Sequence, residues 1–447
     1  MVNIYERALF TFVVTMSAVL SLMSILRYNF GTFFQFFDFT VYEQALWTTV
    51  NNGTLLYNSI EGCSHFGIHT SIIWFVLAPI YYMFQYPETL LIIQSVLLVS
   101  AAIPLYYLAK EILNNEKYAL LIAYAYTFYP MLHGAALFDV HEVMFLPLIV
   151  FTALYFLYKK NIPVFFLLMM VSLIIKEDIP LLVIPIFLYA LYKRMYSTKF
   201  EQWLMIGGVA LSVIWLLASV FVIIPAFNTS GMALHESRYN TSDIPTMITQ
   251  YPIEKAGYLS NVFSPLLFLP TLSPLTLVLC APTLFEILLQ DGVFRFTSMT
   301  HYVLQLIPIL FLSMIFGVKR LRESNIFKDG QLCGMIFVAV AILFLVSSQV
   351  SPASPNFYVF TMTEHTMAID EAMAMIPDGA SLYMGSYFVK GSSHRMELYS
   401  SYREGTDYLF TDTSSQFFNN NDFSKYDLSG YTKLFEKDSV TVYRRSI

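Results

Sequence analysis

The chain has 447 residues, of which 57% are hydrophobic and only 13% are charged, and its net charge is −6. A soluble globular protein has about 25% charged residues, so this composition excludes that class. The acidic balance, without a basic patch interleaved with aromatic residues, argues against a nucleic-acid partner. The three cysteines predict no disulfide framework.

Apolar stretches recur from Leu9 to Val350, and many approach the roughly 20 residues that a membrane-spanning helix needs. We therefore predict a polytopic α-helical membrane protein with about 11 transmembrane or half-membrane helices. Prolines within 262–290 predict broken helices there, and the apolar run 71–84 is short enough for a re-entrant or surface-lying segment. The longer predicted helices cover 9–26, 89–109, 118–132, 142–158, 163–175, 178–192, 203–225, 301–318 and 332–350.

The distribution of basic residues orients these helices, because Lys and Arg favour the cytoplasmic loops. The predicted inner loops contain Arg7, Lys110, Lys117, Lys159, Lys160, Lys193, Arg194, Lys199, Lys319, Arg320, Arg322 and Lys328. The predicted outer loops contain Arg27, Lys176, Arg238, Lys255 and Arg295. This bias predicts a plasma-membrane protein with a cytoplasmic N-terminus, whose first hydrophobic helix is retained as a signal anchor.

Composition changes after the last apolar run and divides the chain in two. We predict a transmembrane domain over 1–352, with outer loops at 27–88 and 133–142, and a small extracytoplasmic α/β domain over 353–447. In the second domain we predict a helix over 363–375, short strands near 381, 397 and 407, and a closing hairpin over 431–444. This domain contains no GxGxxG motif, so its sequence gives no support for nucleotide binding.

Asp38 precedes an apolar helix face in the first outer loop, formed by Phe39, Tyr42, Leu46 and Val50. One interpretation is that Asp38 caps this helix, since Asp is a favoured N-cap residue. The other is a general base or metal ligand, because ionisable groups at membrane depth are usually functional. The two roles are compatible, as a capping carboxylate is held rigidly.

His65 and His69 follow in the same loop and would share one face of a helical segment. The glutamate of the HExxH zinc motif is absent, so that motif does not apply. Contact with a metal ion or substrate remains one interpretation, and hydrogen bonding at the membrane interface is the other.

Asp139, His141 and Glu142 form a dense polar cluster at the outer end of the fourth predicted helix. In a helix Asp139 and Glu142 would converge on one ion or sugar, whereas His141 would point elsewhere. Alternatively, the two acids only complement the dipole of the helix that they begin.

Two further polar motifs stand at outer helix ends. Lys176, Glu177 and Asp178 separate two apolar runs, as a tight turn with a local ion pair or as groups that bind a lipid phosphate and sugar hydroxyls. Arg295, His301 and Tyr302 precede or begin another helix and could donate hydrogen bonds to a phosphate.

The order of short motifs resembles a family of multi-pass membrane proteins of archaea and bacteria that is defined as a domain of unknown function. The earlier motifs are Phe37-Asp38, Gln44-Ala45-Leu46-Trp47, Gly53, His65-Phe66, His69 and Pro79-x-Tyr81. The later ones are Tyr129-Pro130, Phe138-Asp139-x-His141, Lys176-Glu177-Asp178, His301-Tyr302, Pro308 and Ile376-Pro377-x-Gly379-Ala380. Each motif is short, but their order is specific and spans nearly the whole chain.

That family resembles the GT-C glycosyltransferases, which include oligosaccharyltransferase catalytic subunits and protein O-mannosyltransferases. The shared features are an acid after the first helix, an acid in the second outer loop, and a soluble C-terminal domain outside the membrane. The chain lacks a WWD-type motif, and His65-Phe66 stands where O-mannosyltransferases have His-Pro-Pro. The resemblance therefore implies no acceptor class, and a lipid, a glycan and a protein all remain open.

The resemblance implies an inverting sugar transfer from a polyprenyl-phosphate donor at the extracytoplasmic face, with membrane lipid as a partner. It implies that Asp38 deprotonates the acceptor hydroxyl. The residues expected to bind the donor are His65, His69, Lys176, Glu177, Asp178, Arg295, His301 and Tyr302. Asp139, His141 and Glu142 are expected to bind sugar hydroxyls or a divalent cation, with Mg²⁺ or Mn²⁺ favoured over Zn²⁺.

Two other functional classes fit the same sequence. A non-catalytic glycolipid-binding protein or a transporter of lipid-linked glycans would use the same helices, although the charges cluster at one face rather than at the midplane. A structural or sensory protein would bind its partner through the C-terminal domain, and the outer loops would then matter little.

Overall fold

A computed structural model of the chain describes residues 3–30, 37–229, 244–290, 292, 296–297, 300–358, 360–385, 388–414 and 426–446. The first ten helices are α1 Ile4–Phe30, α2 Phe37–Asn52, α3 Trp74–Met83, α4 Pro87–Ser100, α5 Ala102–Leu113, α6 Glu116–Thr127, α7 Pro130–Leu137, α8 Leu146–Tyr158, α9 Ile162–Leu173 and α10 Pro180–Tyr192. The later ones are α11 Lys199–Ala218, α12 Ile224–Phe227, α13 Ile244–Thr249, α14 Pro252–Phe263, α15 Pro274–Leu277, α16 Ala281–Leu289, α17 Val303–Glu323, α18 Asp329–Ser347 and α19 Glu364–Ala374.

Within these described ranges, five apolar helices are long enough to cross a membrane: Ile4–Phe30, Pro87–Leu113, Lys199–Phe227, Val303–Glu323 and Asp329–Ser347. A sixth crossing is formed if α6 and α7, bent by 42° at their junction, act as one span. Shorter apolar helices complete the bundle. The prediction of a polytopic helical membrane protein is confirmed.

The region 262–290 is broken into short pieces, as its prolines predict. Short 3-10 turns alternate there with α15 and α16, and Leu267 and Phe268 both have positive φ angles. A proline ring removes a helical hydrogen-bond donor and clashes with the preceding turn, so a continuous helix is disfavoured here. These pieces pack along α17, where a side chain in place of Gly317 would overlap the carbonyl of Leu269.

The loop between α1 and α4, predicted from the sequence to be the first outer loop and called so below, is compact. After α2 the chain forms a two-residue hairpin, β1 Tyr57–Asn58 with β2 Cys63–Ser64, and then a 3-10 turn at His65–Gly67. The predicted re-entrant or surface segment corresponds to α3, which has 10 residues. At 1.5 Å per residue α3 reaches only about 15 Å, half the thickness of a bilayer core.

The C-terminal part is a small α/β unit beside that loop. Its strands are β3 Leu382–Tyr383, β4 Leu398–Tyr399, β5 Tyr408–Asp412, β6 Tyr431–Lys437 and β7 Val440–Arg445, in the sheet order β4-β3-β5-β7-β6. Strand β3 pairs in parallel with β4 and β5, and the last two strands form the predicted antiparallel hairpin. Helix α19 packs on this sheet, with Ala368, Ile369 and Ala372 in the core.

The first outer loop contributes to the core of the C-terminal unit. Val41 of α2 and Ile60 are buried in that core. Glu43, which is 1% exposed, accepts hydrogen bonds from Ser393 Oγ at 2.5 Å and Tyr81 Oη at 3.2 Å. Its Oε1 also lies 3.1 Å from His394 Nε2. These contacts fix α2 between the membrane helices and the C-terminal unit.

Candidate functional site

Asp38 lies in the first turn of α2, where the partial positive charge of the helix N-terminus favours an acid. Its Oδ2 is 3.1 Å from Nε2 of His141, which belongs to the second outer loop. The two side chains differ in access: Asp38 is 42% exposed and His141 is 2% exposed. A buried imidazole therefore holds a carboxylate that solvent or a ligand can reach.

The charge of Asp38 acts on His141. Burial lowers the pKa of His141, but the hydrogen bond and the charge of Asp38, with Glu142 and Asp139 nearby, outweigh burial and raise the pKa overall. His141 Nδ1 lies 3.2 Å from the backbone carbonyl of Asp139. An imidazolium at this position would donate one proton to Asp38 and the other to that carbonyl.

Asp139 lies beside these groups, but it has other partners. Its Oδ1 is 3.8 Å from an Arg27 guanidinium nitrogen at the end of α1, and its Oδ2 accepts a hydrogen bond from the Phe39 backbone N–H at 3.3 Å. Burial raises the pKa of Asp139 to about 7, against the opposing effect of Arg27. Asp139 thus connects the end of α1 to the beginning of α2.

Gln94 of α4 fixes the loop that carries these residues. Its amide nitrogen donates to the carbonyls of Ala136 at 3.2 Å and Asp139 at 3.0 Å, and its oxygen accepts from the His141 backbone N–H at 3.1 Å. The Gln94 amide, which is 1% exposed, thereby forms hydrogen bonds with backbone groups of a loop that has no regular backbone hydrogen bonding of its own.

His301, just before α17, stacks on His141. The two ring centroids are 3.5 Å apart with the planes inclined by 24°, and the Phe138 ring lies 5.8 Å from His141 and 6.5 Å from His301, in stacked geometry with both. Tyr302 lies next to His301, with ring centroids 4.3 Å apart. These aromatic contacts hold α17 against the loop that contains His141.

The two histidines of the first outer loop lie side by side, with ring centroids 5.5 Å apart. His65 Nδ1 is 3.0 Å from Glu61 Oε2, which also accepts a bond of 2.6 Å from Asn58. Burial lowers the pKa of His65, but the charge and hydrogen bond of Glu61 raise it further, so the net shift is upward. Among the described residues, His65 Nε2 is buried without a hydrogen-bond partner.

His69 is tied to the turn between α9 and α10. Its Nδ1 lies 2.7 Å from Glu177 Oε1, and the other carboxylate oxygen accepts from the Thr70 backbone N–H at 3.1 Å. All three residues are buried. Glu177 therefore connects the first outer loop to the turn that follows α9.

Lys176 supplies a buried positive charge in the same turn. Its Nζ lies 3.8 Å from Glu142 Oε1 and 3.6 Å from Asp178 Oδ2, which confirms the local ion pair expected in this turn. Lys176 is 4% exposed and Glu142 is 1% exposed. Charges this deeply buried are costly unless they are paired or bind a charged ligand.

Tyr42 of α2 stands between the two groups of side chains. Its ring meets His65 at 5.0 Å and His141 at 5.7 Å in edge-on geometry, and it stacks on Trp74 at 4.7 Å. The pairs Asp38–His141 and Glu61–His65 are thus separated by one aromatic ring. The polar groups form one continuous cluster at the end of the bundle that faces the C-terminal unit.

The cluster brings together most of the residues predicted from the sequence. These are Asp38, His65, His69, Asp139, His141, Glu142, Lys176, Glu177, Asp178, His301 and Tyr302. Arg295 lies outside the described residues.

The three predicted metal ligands face different partners. Asp139 faces Arg27, His141 faces Asp38, and Glu142 faces Lys176. In the part of the chain that the structure describes, no three His, Cys, Asp or Glu side chains are grouped to hold a metal ion. The divalent cation therefore stays a prediction, and nothing in this side-chain arrangement is assigned to it.

Sequence reasoning missed several members of the cluster, namely Arg27, Tyr42, Glu61, Trp74 and Gln94. Signals for three of them were present. Arg27 is a cation at the end of a long apolar helix, Glu61 precedes His65 by four residues, and Gln94 is a polar residue within an apolar run. Nothing in the local sequence distinguishes Tyr42 or Trp74 from other aromatic residues that pack in a core.

A family model for predicted membrane proteins, DUF2079, matches residues 32–420. The chain belongs to this family. The crystal structure of ArnT from Cupriavidus metallidurans bound to undecaprenyl phosphate is similar to this chain, with a TM-score of 0.57 and 12% identity over 97% of each chain. No curated protein sequence matches the chain. At this identity the likeness shows the fold, which is the GT-C fold of ArnT.

Proposed function

We propose that this DUF2079 protein transfers a sugar from a polyprenyl-phosphate donor to an acceptor at the extracytoplasmic face of the plasma membrane, with inversion at the anomeric carbon. The observation that supports this most strongly is the position of Asp38. It is a half-exposed carboxylate above a buried set of cationic and imidazole side chains, in a fold shared with a protein that binds undecaprenyl phosphate.

In the proposed reaction Asp38 accepts the proton of the acceptor hydroxyl. The acceptor oxygen forms a bond to the anomeric carbon from the side opposite the phosphate. The bond between that carbon and the phosphate oxygen breaks, and its electron pair leaves with the polyprenyl phosphate. The acceptor proton stays on Asp38 until solvent removes it.

His141 is a positioning residue in this proposal. As an imidazolium it would keep Asp38 ionised and fixed, and its own orientation is set by Asp139 and the aromatic stack with His301. A rigid base matters because a misplacement of about 1 Å costs about 100-fold in rate.

Lys176 offsets the charge that develops on the leaving phosphate, and the imidazoles of His65 and His69 donate to the phosphate or to sugar hydroxyls. Preorganised cations in a water-poor site stabilise such charge more effectively than the same groups in bulk water. The buried Nε2 of His65 has no hydrogen-bond partner among the described residues, as expected of a group that binds a ligand.

The proposal is tested by reconstituting the protein in liposomes with radiolabelled polyprenyl-phosphate sugars. We expect at least one donor to give a labelled product, with the anomeric configuration opposite to that of the donor. A product of retained configuration would contradict the mechanism. Saturable binding of the donor lipids without transfer of any sugar would favour a glycolipid-binding protein or a transporter instead.

A further inference from the structure

A second polar pocket lies at the opposite end of the helix bundle. Helices α10 and α17 both begin at the functional site, near Asp178 and His301, and run away from it. A cavity of about 280 Å³ opens where they end. It is lined by Tyr189, Lys193, Ser273, Leu275, Thr276, Phe316, Lys319, Arg320 and Glu323.

Three cations line this cavity and only one carboxylate does. In the described part of the chain, no Asp or Glu oxygen lies within ion-pair distance of Lys193, Lys319 or Arg320, whereas the neighbouring Arg322 pairs with Asp329 at 2.9 Å. Cations that share a concave surface without carboxylate partners repel one another. Their clustering is favourable when an anion binds between them.

The backbone around Gly317 forms the pocket. Because a side chain at Gly317 would overlap the carbonyl of Leu269, only glycine lets the broken segment pack this closely against α17. One turn later, an Arg320 guanidinium nitrogen donates to the carbonyl of Leu272 at 2.5 Å. These contacts place the buried hydroxyls of Ser273 and Thr276 beside the cations.

The rim of the pocket is apolar. Leu275, which is 40% exposed, and Phe316, which is half-buried, line the pocket. Leu272, whose carbonyl accepts from Arg320, is 38% exposed. Apolar side chains at this rim can pack against the acyl chains of a lipid, whereas a soluble anion would gain nothing from contact with them. The cavity is below the roughly 300 Å³ of typical small-molecule sites, so it has room for a headgroup phosphate and not for a whole lipid.

We propose that this pocket binds the phosphate of an anionic membrane lipid, with the acyl chains lying along the apolar rim. Lys193, Lys319 and Arg320 contact the phosphate, and the Ser273 hydroxyl, which accepts from Thr276 Oγ1 at 2.7 Å, donates to a glycerol oxygen. Basic pockets between helix ends are a known mode of recognition for acidic lipid headgroups. The site is separate from the proposed donor site and does not depend on its activity.

The test measures binding of phosphatidylglycerol to the full-length protein in mixed micelles, with phosphatidylcholine and inorganic phosphate as comparison probes. Wild type should bind phosphatidylglycerol in preference to phosphatidylcholine. The double variant Lys319→Gln/Arg320→Gln should lose about tenfold in affinity for phosphatidylglycerol. A matched double variant, Lys160→Gln/Lys199→Gln, removes two cations outside the pocket and should bind as wild type does.

Equal phosphatidylglycerol affinity in the two double variants would overturn the proposal. Saturation of the pocket by inorganic phosphate, with full displacement of phosphatidylglycerol, would overturn the assignment to a lipid and leave a soluble anion. If Lys319→Gln/Arg320→Gln has a lower Tm than wild type, the variant Leu275→Trp is tested in its place. This substitution blocks the rim without changing the charge of the pocket. It should weaken phosphatidylglycerol binding by about tenfold, and unchanged binding would overturn the proposal.

Discussion

His141 Nε2 lies 3.1 Å from Asp38 Oδ2 across 103 residues of chain, and it joins the first outer loop to the second. The same imidazole stacks on His301, which precedes α17. One buried side chain, His141, therefore connects three separate segments. It does so at the point where the half-exposed carboxylate of Asp38 is held.

Replacing His141 should slow transfer without preventing donor binding. In His141→Gln, Asp38 loses its imidazole partner, and we expect kcat to fall about 100-fold, because an unheld base samples unproductive positions. The KM for the donor should change little. Steady-state kinetics in proteoliposomes measure both constants.

His365→Gln is the matched control, because His365 contacts Asp412 and Asp438 in the C-terminal unit, away from the cluster. It should keep wild-type kinetics. A rise in KM with unchanged kcat in His141→Gln would instead place His141 among the donor-binding residues.

Glu177 should be needed for stability. It accepts bonds from His69 and from the Thr70 backbone, both buried, and hydrogen bonds to charged groups stabilise by about 2 kcal/mol. Glu177→Gln should therefore lower the Tm of the detergent-solubilised protein. The exposed Glu404→Gln should leave the Tm unchanged, and equal Tm values for the two variants would show that the connection made by Glu177 is not stabilising.

Stability should depend on the pH through Asp139. Its pKa is raised to about 7 in the folded chain, whereas it is about 4 in an unfolded chain, so the folded state binds more protons between these values. The contribution of Asp139 to stability is complete below pH 4 and is lost as the pH rises through 7.

Thermal unfolding at pH 5 and pH 8 measures this loss. The Tm of wild type should fall by a few degrees more than that of Asp139→Asn, which cannot titrate. An equal fall in the two proteins would mean that the Arg27 charge, and not burial, dominates at this carboxyl, so that Asp139 is already ionised at pH 5.

The C-terminal unit should be held to the membrane helices by Glu43. Glu43→Ala removes the acceptor for Ser393 and Tyr81 and the contact with His394. It leaves the buried Ser393 hydroxyl without this acceptor, whereas Tyr81 Oη and His394 Nε2 keep their mutual contact of 3.0 Å. We expect faster cleavage between α18 and α19 in limited proteolysis. The exposed Glu397→Ala serves as the control and should be cleaved at the wild-type rate.

The sequence predicted the helices and the C-terminal strands well, because hydrophobic runs and alternating patterns determine them locally. It also predicted that His65 and His69 lie side by side, since one turn of chain separates them. Asp139 and Glu142 are different. They would converge only in a continuous helix, and the chain is not helical at 139–141, so the two carboxylates face Arg27 and Lys176.

The partners across loops could not be predicted in this way. Whether Asp38 meets His141, and whether His69 meets Glu177, depends on how the outer loops pack over the bundle. No periodicity within either segment contains that information. The motifs contain residues that the structure groups at one end of the bundle, and tertiary packing decided the pairs.

The most direct measurement is sugar transfer by wild type and Asp38→Asn in the same proteoliposomes, with undecaprenyl phosphate binding measured on both. The substitution keeps the size of the side chain and removes its basicity. We predict that Asp38→Asn binds the lipid as wild type does and loses transfer by a factor of about 100 or more. Equal transfer by the two proteins would show that Asp38 is not the base and would return it to a structural role at the start of α2.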